Sequence, residues 1–134
     1  MPKIEKVLEE ILVTAEALTK ILKDVSGYSD FTVVLKKEFN EKKWGAYFYI
    51  RSAIQLYVLD KKGKEYPDTI IILEGLHELT HHVLYNYLKV SMDGNSAHDY
   101  NFKNLFVSYV QTYYNGKVPQ FAKAHLKEGG YWIG

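Results

Sequence analysis

The segment from Thr69 to about Val90 constrains the fold of this chain more than any other part of its sequence. Its first half, Ile70-Ile71-Ile72-Leu73, is apolar on every side of a helix, and Asp68 before it is a suitable N-cap. A helix that is apolar all round must be covered by other elements on every face. We therefore expect a buried central helix from Thr69 to about Val90, capped by Asp68.

His77-Glu78-Leu79-Thr80-His81 lies within this predicted helix and has the pattern H-E-x-x-H. Side chains four residues apart lie on one face of a helix, so the two imidazoles can bind one metal ion. Glu78 can then hold and deprotonate a water molecule on that ion. The pattern is typical of zinc hydrolases. It predicts Zn²⁺ as the cofactor, His77 and His81 as metal ligands, and Glu78 as the catalytic base.

A catalytic zinc ion takes three protein ligands and keeps one position for water. The chain has no cysteine, and no acidic residue occurs between Tyr100 and Lys127. A third ligand must therefore come from a histidine or from an acidic residue close to the end of the central helix. The candidates are His82, Asp93, His98, Asp99 and His125.

Chain length favours His98 as the third ligand. The helix rises roughly 14 Å from His81 to Val90, and the loop that follows can extend by up to about 23 Å, so the chain can return to the ion. His98 also falls in the first turn of the next predicted helix, whose positive end keeps the ring neutral. His82 points about 100° away from His81 and is expected behind the ligands or at the surface. His125 is expected to be solvent-exposed.

The hydrophobic pattern predicts an α+β fold in which a helix is followed by three strands and then by further helices. Apolar residues recur at helical spacing in the first segment, and the strand segments are β-rich or alternate between two faces. Ser26-Gly27 and Gly116 are expected to end helices. The predicted bounds are a helix over Pro2–Asp24, strands over Phe31–Leu35, Trp44–Arg51 and Ala53–Leu59, a hairpin turn over Lys36–Lys43, a helix over His98 to about Asn115, and a last short helix over Pro119–Glu128.

Composition and charge narrow the class of protein. The net charge is +1, with 17 basic and 16 acidic residues, and this balance supplies no strong field for nucleic acid or for a membrane surface. No apolar run approaches the roughly 18 residues of a membrane span, and the N-terminus lacks a secretory pattern. We therefore expect residues 1–134 to form one soluble, cytoplasmic domain without a membrane partner. Nucleic-acid binding is only weakly supported.

A second stretch extends the motif into a family pattern. His77-Glu78-Leu79-Thr80-His81, followed by His98-Asp99-Tyr100-Asn101-Phe102, resembles the H-E-L-x-H…H-x-x-x-F pattern of SprT-like and WLM-type zinc metallopeptidases. The resemblance covers residues 67 to 106, and the order of the upstream helix and strands is similar to the minimal zincin core. The run H-E-L-x-H-H also resembles ImmA-type regulatory proteases, whose downstream acidic ligand has no counterpart here.

The resemblance implies a zincin-like α+β fold with a single zinc ion bound by His77, His81 and His98. It also implies that Glu78 acts as general base and then as general acid. Two features differ from the family pattern. The 16 residues between His81 and His98 exceed the shorter WLM-type spacing, and the cysteine zinc ribbon that follows in many SprT proteins is absent.

The predicted function is zinc-dependent hydrolysis of peptide bonds in a protein or peptide substrate. A second donor should stabilise the oxyanion of the reaction, and Tyr109 and Tyr113 are candidates because they lie near the same face of a helix as His98. The segment Ala53–Leu59 is expected to be an edge strand that receives the substrate backbone by β-augmentation.

Two alternatives remain open at this stage. In the first, the domain is a non-catalytic or regulatory protein-binding domain that docks a partner strand, and its metal site is structural or vestigial. In the second, the lysine pairs in the predicted turns contact nucleic acid and the H-E-x-x-H motif is incidental. An intact Glu78 favours an enzyme, since a purely structural site has no need of it. The oligomeric state is not specified by any pattern in the chain.

Overall fold

The computed structural model describes residues 13–89 and 100–131. In that part of the chain, four helices pack with one three-stranded mixed sheet, so the α+β class and the predicted order of elements are confirmed. The elements are α1 (Ala15–Ser26), β1 (Thr32–Lys36), β2 (Gly45–Phe48), β3 (Ala53–Tyr57), α2 (Asp68–Asn86), α3 (Tyr100–Tyr113) and α4 (Gln120–Glu128).

The order of the strands is β1-β3-β2, which contradicts two expectations. The segment Lys36–Lys43 does not form a hairpin turn, because β1 and β2 are not neighbours. The strand β3 is central and not an edge, since it pairs parallel with β1 and antiparallel with β2. Its burial explains the position: Ala53 and Ile54 point to opposite faces of the sheet and both are buried. The outer strands are β1 and β2.

The central position expected for the long helix is confirmed. The helix α2 packs against all three other described helices and against β2 and β3. Its apolar first half is covered, with Ile71, Ile72 and Leu73 all buried. The helix ends at Asn86, earlier than expected. Its N-cap is Pro67, and the Asp68 carboxylate instead accepts a hydrogen bond of 3.1 Å from the backbone N–H of Val13.

The other helices end close to the residues that were expected to end them. The Thr14 hydroxyl caps α1 by accepting from the N–H of Ala17, and Gly27, with a φ of 80°, ends the helix as expected. The part of the predicted first helix before residue 13 lies outside the described residues. The helix α3 ends at Tyr113, before a turn in which Gly116 has a positive φ. The predicted last helix is confirmed as α4.

No helix within residues 13–89 and 100–131 is long and apolar enough to cross a membrane.

Candidate metal centre

His77, Glu78 and His81 lie together on α2 and offer one potential ligand atom each, all within 4.8 Å of one another. The two imidazole rings meet edge to face with their centroids 5.2 Å apart. Glu78 and His81 are buried and His77 is half-buried. Imidazole nitrogen and carboxylate oxygen are donors that zinc accepts, and they suit other divalent metals as well. The donor set therefore fits a metal ion and leaves its identity open.

The imidazole of His77 is hydrogen-bonded to Glu78 next to it in the chain. Its Nδ1–H donates to Glu78 Oε2 over 2.9 Å. Burial acts to lower the pKa of His77, but the hydrogen bond and charge of Glu78, together with the charge of Glu74, raise it overall. Because a ligating imidazole must be neutral, a metal ion and a proton compete for this ring.

Phe102 joins α3 to the two candidate ligands. Its ring is fully buried, and its centroid lies 4.9 Å from that of His77 and 4.5 Å from that of His81. Phe102 is the phenylalanine of the H-x-x-x-F pattern, four residues after His98 in the sequence. His98 itself lies outside the described residues, as do Asp93 and Asp99, so the third ligand stays a prediction.

A cleft of about 500 Å³ lies beside His77 and Glu78. The helix α2 forms its floor, Gly45 at the start of β2 lies on one wall, and the end of α4 with Tyr131 forms the other wall. This volume is in the range of ligand-binding sites. The candidate metal centre is therefore next to a space that can take part of a substrate.

Gly45 allows β2 to lie directly against Glu78. A Cβ atom at this position would be 2.6 Å from Leu56 Cδ2, 2.8 Å from the carbonyl oxygen of Gln55 and 3.5 Å from Glu78 Cγ. The backbone oxygen cannot move without disturbing the sheet, so any side chain here would push β2 outward. Glycine at position 45 is therefore what keeps an outer strand next to the carboxylate.

The ladder between β2 and β3 determines which backbone groups of β2 face away from the sheet. The N–H of Tyr57 donates to the carbonyl of Trp44 over 2.8 Å, and Gly45 is opposite Leu56 in the register. Hydrogen-bonded and non-hydrogen-bonded pairs alternate along an antiparallel ladder. The N–H and carbonyl groups of Gly45 and Tyr47 therefore point away from β3, and Gly45 itself lines the cleft.

A Schellman motif at the end of α4 directs Tyr131 back toward α2. The N–H of Tyr131 donates to the carbonyl of Leu126 over 2.9 Å, and the N–H of Gly130 donates to the carbonyl of Lys127 over 3.0 Å. Gly130 has a φ of 89°, the left-handed conformation that this motif requires and that glycine adopts without strain. The chain therefore reverses immediately after the helix.

This reversal places the phenol of Tyr131 at the candidate metal centre. Its hydroxyl oxygen is 3.5 Å from His77 Nε2, and its ring meets Phe106 edge to face at 4.9 Å. Burial, with the charges of Glu74 and Glu78, raises the pKa of Tyr131 to about 12. The hydroxyl therefore keeps its proton at neutral pH. Sequence patterns did not identify this residue.

His125 is not the solvent-exposed residue that was expected. Its side chain is 17% exposed, and its Nε2 is 3.2 Å from Glu74 Oε1 on α2. The ring of Trp44 lies edge to face with it at 5.3 Å. Glu74 precedes Glu78 by about one helical turn, so His125 belongs to the same cleft. Position 125 has no spacing relationship to the motif that could have indicated this.

His82 does not line the cleft and is completely buried. Its Nε2–H donates to Asp30 Oδ1 over 2.9 Å, and its Nδ1 is 2.8 Å from the hydroxyl of Tyr47. Asp30 also accepts a hydrogen bond from Tyr87, which is the main reason why the pKa of Asp30 lies below its usual value. The surface position expected for His82 is therefore wrong, and the hydrogen bonds of its ring join it to Asp30, Tyr47 and Asn86.

The two tyrosines expected to stabilise an oxyanion do not line the cleft. Tyr109 is buried in the hydrophobic core, and Tyr113 packs against that core from outside. Both are on nearly the same face of α3 as Phe102, but they lie about two and three helical turns further along the helix. They therefore do not lie where an oxyanion donor is needed, whereas the hydroxyl of Tyr131 does reach the site.

Comparison of the chain with known proteins finds no matching family model, no similar curated protein and no similar solved structure.

Proposed function

We propose that this chain is a zinc-dependent metallopeptidase with a zincin-like fold, and that it hydrolyses peptide bonds in protein or peptide substrates. The observation that supports this best is the grouping of His77, Glu78 and His81 beside a cleft. One wall of this cleft is formed by the start of the outer strand β2. His77 and His81 would hold the ion from α2, and His98 is the proposed third ligand. When bound, zinc supplies a water molecule of lowered pKa and polarises the scissile carbonyl group.

Glu78 is the proposed general base. Its side chain is buried beside His77 and β2, and the hydrogen bond from His77 offsets part of the cost of burying the carboxylate at the edge of the cleft. In the reaction Glu78 takes the proton from the attacking water as the water oxygen bonds to the carbonyl carbon. It then gives this proton to the amide nitrogen as the C–N bond breaks, which releases a neutral amine.

The strand β2 is the proposed platform for the substrate backbone, in place of the expected β3. An extended peptide can pair with the outward N–H and carbonyl groups of Gly45 and Tyr47. Because Gly45 lies against Glu78, a peptide paired there passes next to the base. The same platform would serve a non-catalytic domain that docks a partner strand, and the two functions differ in whether Glu78 is needed.

Cleavage of fluorescein-labelled casein by the zinc-loaded protein tests this proposal. Glu78→Gln should keep the zinc and abolish cleavage, since the amide cannot accept the water proton. Glu16→Gln, the same chemical change at an exposed position of α1, should cleave as the wild type does. Equal cleavage by Glu78→Gln and the wild type would reject Glu78 as the base. A wild-type protein that holds zinc but cleaves nothing would favour the partner-docking alternative.

A further inference from the structure

We infer that Tyr131 is a further catalytic residue of this site, whose hydroxyl donates a hydrogen bond to the oxyanion of the tetrahedral intermediate. The inference depends on the proposed function, because it assigns a step of the same hydrolysis. It concerns a residue outside the H-E-x-x-H motif, brought to the site by the end of α4.

The hydroxyl of Tyr131 and the carboxylate of Glu78 both lie next to His77. Glu78 contacts one ring nitrogen of His77 at 2.9 Å, and the hydroxyl of Tyr131 is 3.5 Å from the other. The proposed base Glu78 thus contacts His77 at Nδ1, and the proposed hydrogen-bond donor Tyr131 contacts it at Nε2. A carbonyl group that is attacked beside Glu78 needs a donor at its oxygen, and the hydroxyl of Tyr131 lies at the candidate metal centre.

The phenol of Tyr131 is held in this place by backbone and ring contacts. The backbone before Tyr131 is held by the two hydrogen bonds of the Schellman motif, and the ring is held by Phe106. A Cβ atom at Gly129 would be 3.3 Å from Cε2 of the Tyr131 ring, so the ring lies close over the backbone of the turn. Donors that are already in position stabilise an oxyanion best, since they need no reorganisation during the reaction.

The chemistry requires only a hydrogen bond from Tyr131. As the water oxygen bonds to the carbonyl carbon, the π electrons of the carbonyl move to its oxygen, which then accepts from the phenol. When the C–N bond breaks, these electrons re-form the carbonyl, and the proton held by Glu78 goes to the amine. Tyr131 keeps its own proton throughout. Two other aromatic side chains with ring N–H groups line the same wall region of the cleft: His125, whose Nε2 contacts Glu74, and Trp44, whose ring packs against Tyr66 and His125.

Tyr131→Phe removes the hydroxyl and keeps the ring that packs on Phe106. On the zinc-loaded protein with labelled casein, we expect kcat/KM to fall about 100-fold, mainly through kcat, as for the loss of one oxyanion donor. Tyr113→Phe, the same change on the half-buried tyrosine that does not line the cleft, should leave the kinetics unchanged. Zinc affinity should be equal in the wild type and both variants.

Binding of the dipeptide phosphoryl-Leu-Phe, measured by calorimetry, provides a readout that does not depend on turnover. Its tetrahedral anionic phosphoryl group resembles the intermediate, so a residue that stabilises the oxyanion should also strengthen binding. Tyr131→Phe should weaken binding by at least about tenfold, and Tyr113→Phe should not change it. A residue that only supports the fold would instead alter zinc affinity or thermal stability.

Substitutions at Gly130 test the placement of the phenol without removing it. Asparagine tolerates a positive φ and valine does not, so Gly130→Asn should retain activity and Gly130→Val should lose it as Tyr131→Phe does.

Unchanged kcat and unchanged phosphoryl-dipeptide binding in Tyr131→Phe would overturn the inference. Faster cleavage by this variant would also overturn it, because the phenol would then be an obstruction. If only the inference about Tyr131 is wrong, Glu78→Gln still loses its cleavage activity. If the proposed function is wrong, Glu78→Gln shows no such loss.

Discussion

Gly45 on β2 and Glu78 on α2 lie so close that a Cβ atom at position 45 would be 3.5 Å from the Cγ of the glutamate. The contact links an outer strand to the H-E-x-x-H motif. It places outward backbone groups of β2 next to the proposed base, so that binding of an extended peptide and its hydrolysis can occur at one position. A side chain at position 45 would therefore disturb the fold and the chemistry together.

Replacing Gly45 with a larger residue should move β2 away from α2. In Gly45→Val the new side chain meets the carbonyl oxygen of Gln55 and the side chain of Leu56, and we expect a loss of about 1–3 kcal/mol in the free energy of unfolding. Casein cleavage should fall further than the stability loss explains, because β2 moves away from Glu78. Urea unfolding and cleavage assays on the same preparation measure both effects. A variant with wild-type stability and activity would show that the close approach has no consequence.

The buried network around His82 should contribute to stability without holding the metal. Tyr47→Phe removes the hydroxyl that faces His82 Nδ1, and we expect it to lower the free energy of unfolding by about 1–2 kcal/mol. Asn86, which reaches both groups, should limit the loss. Tyr49→Phe at an exposed position is the matched control and should change stability by less than about 0.5 kcal/mol. Loss of zinc from Tyr47→Phe would instead connect this network to the metal centre.

Stability should decrease at alkaline pH through Tyr109. Burial raises the pKa of its hydroxyl to about 12 from the usual value of 10.0. The folded protein therefore keeps a proton that the unfolded chain releases above pH 10, so this contribution is complete below pH 10 and is lost as the pH approaches 12. Urea unfolding at pH 9 and pH 11 measures the change, which should be smaller in Tyr109→Phe. An equal pH dependence in both proteins would contradict the assignment.

Local patterns predicted the burial of α2 and the grouping of His77 and His81 correctly, because helical spacing is a property of neighbouring residues. The run of apolar residues from Ile70 to Leu73 was enough to indicate burial on all sides, and His77 and His81 necessarily share a face of the helix. The order of the strands depends on contacts between distant segments, and alternation within one strand does not identify its partner. Adjacent side chains of a strand point to opposite faces, so the apolar pair Ala53-Ile54 indicated that β3 is covered on both faces.

The far wall of the cleft could not be predicted in the same way. Tyr131 reaches His77 across 54 positions of the chain and His125 reaches Glu74 across 51, and both contacts depend on how α4 is placed beside α2. The pair Gly129-Gly130 before an aromatic residue was the one local indication of a Schellman motif. The position predicted for His98 lies outside the described residues.

Zinc content is the most direct test of whether His77 and His81 form a metal site. The purified protein, dialysed against excess zinc and then against metal-free buffer, should hold one zinc ion per chain by mass spectrometry of the metal. His77→Ala and His81→Ala should hold close to none, and Glu78→Gln should hold as much as the wild type. Zinc contents that are equal and well below one in the wild type and in both histidine variants would contradict the metal centre, and with it the proposed peptidase.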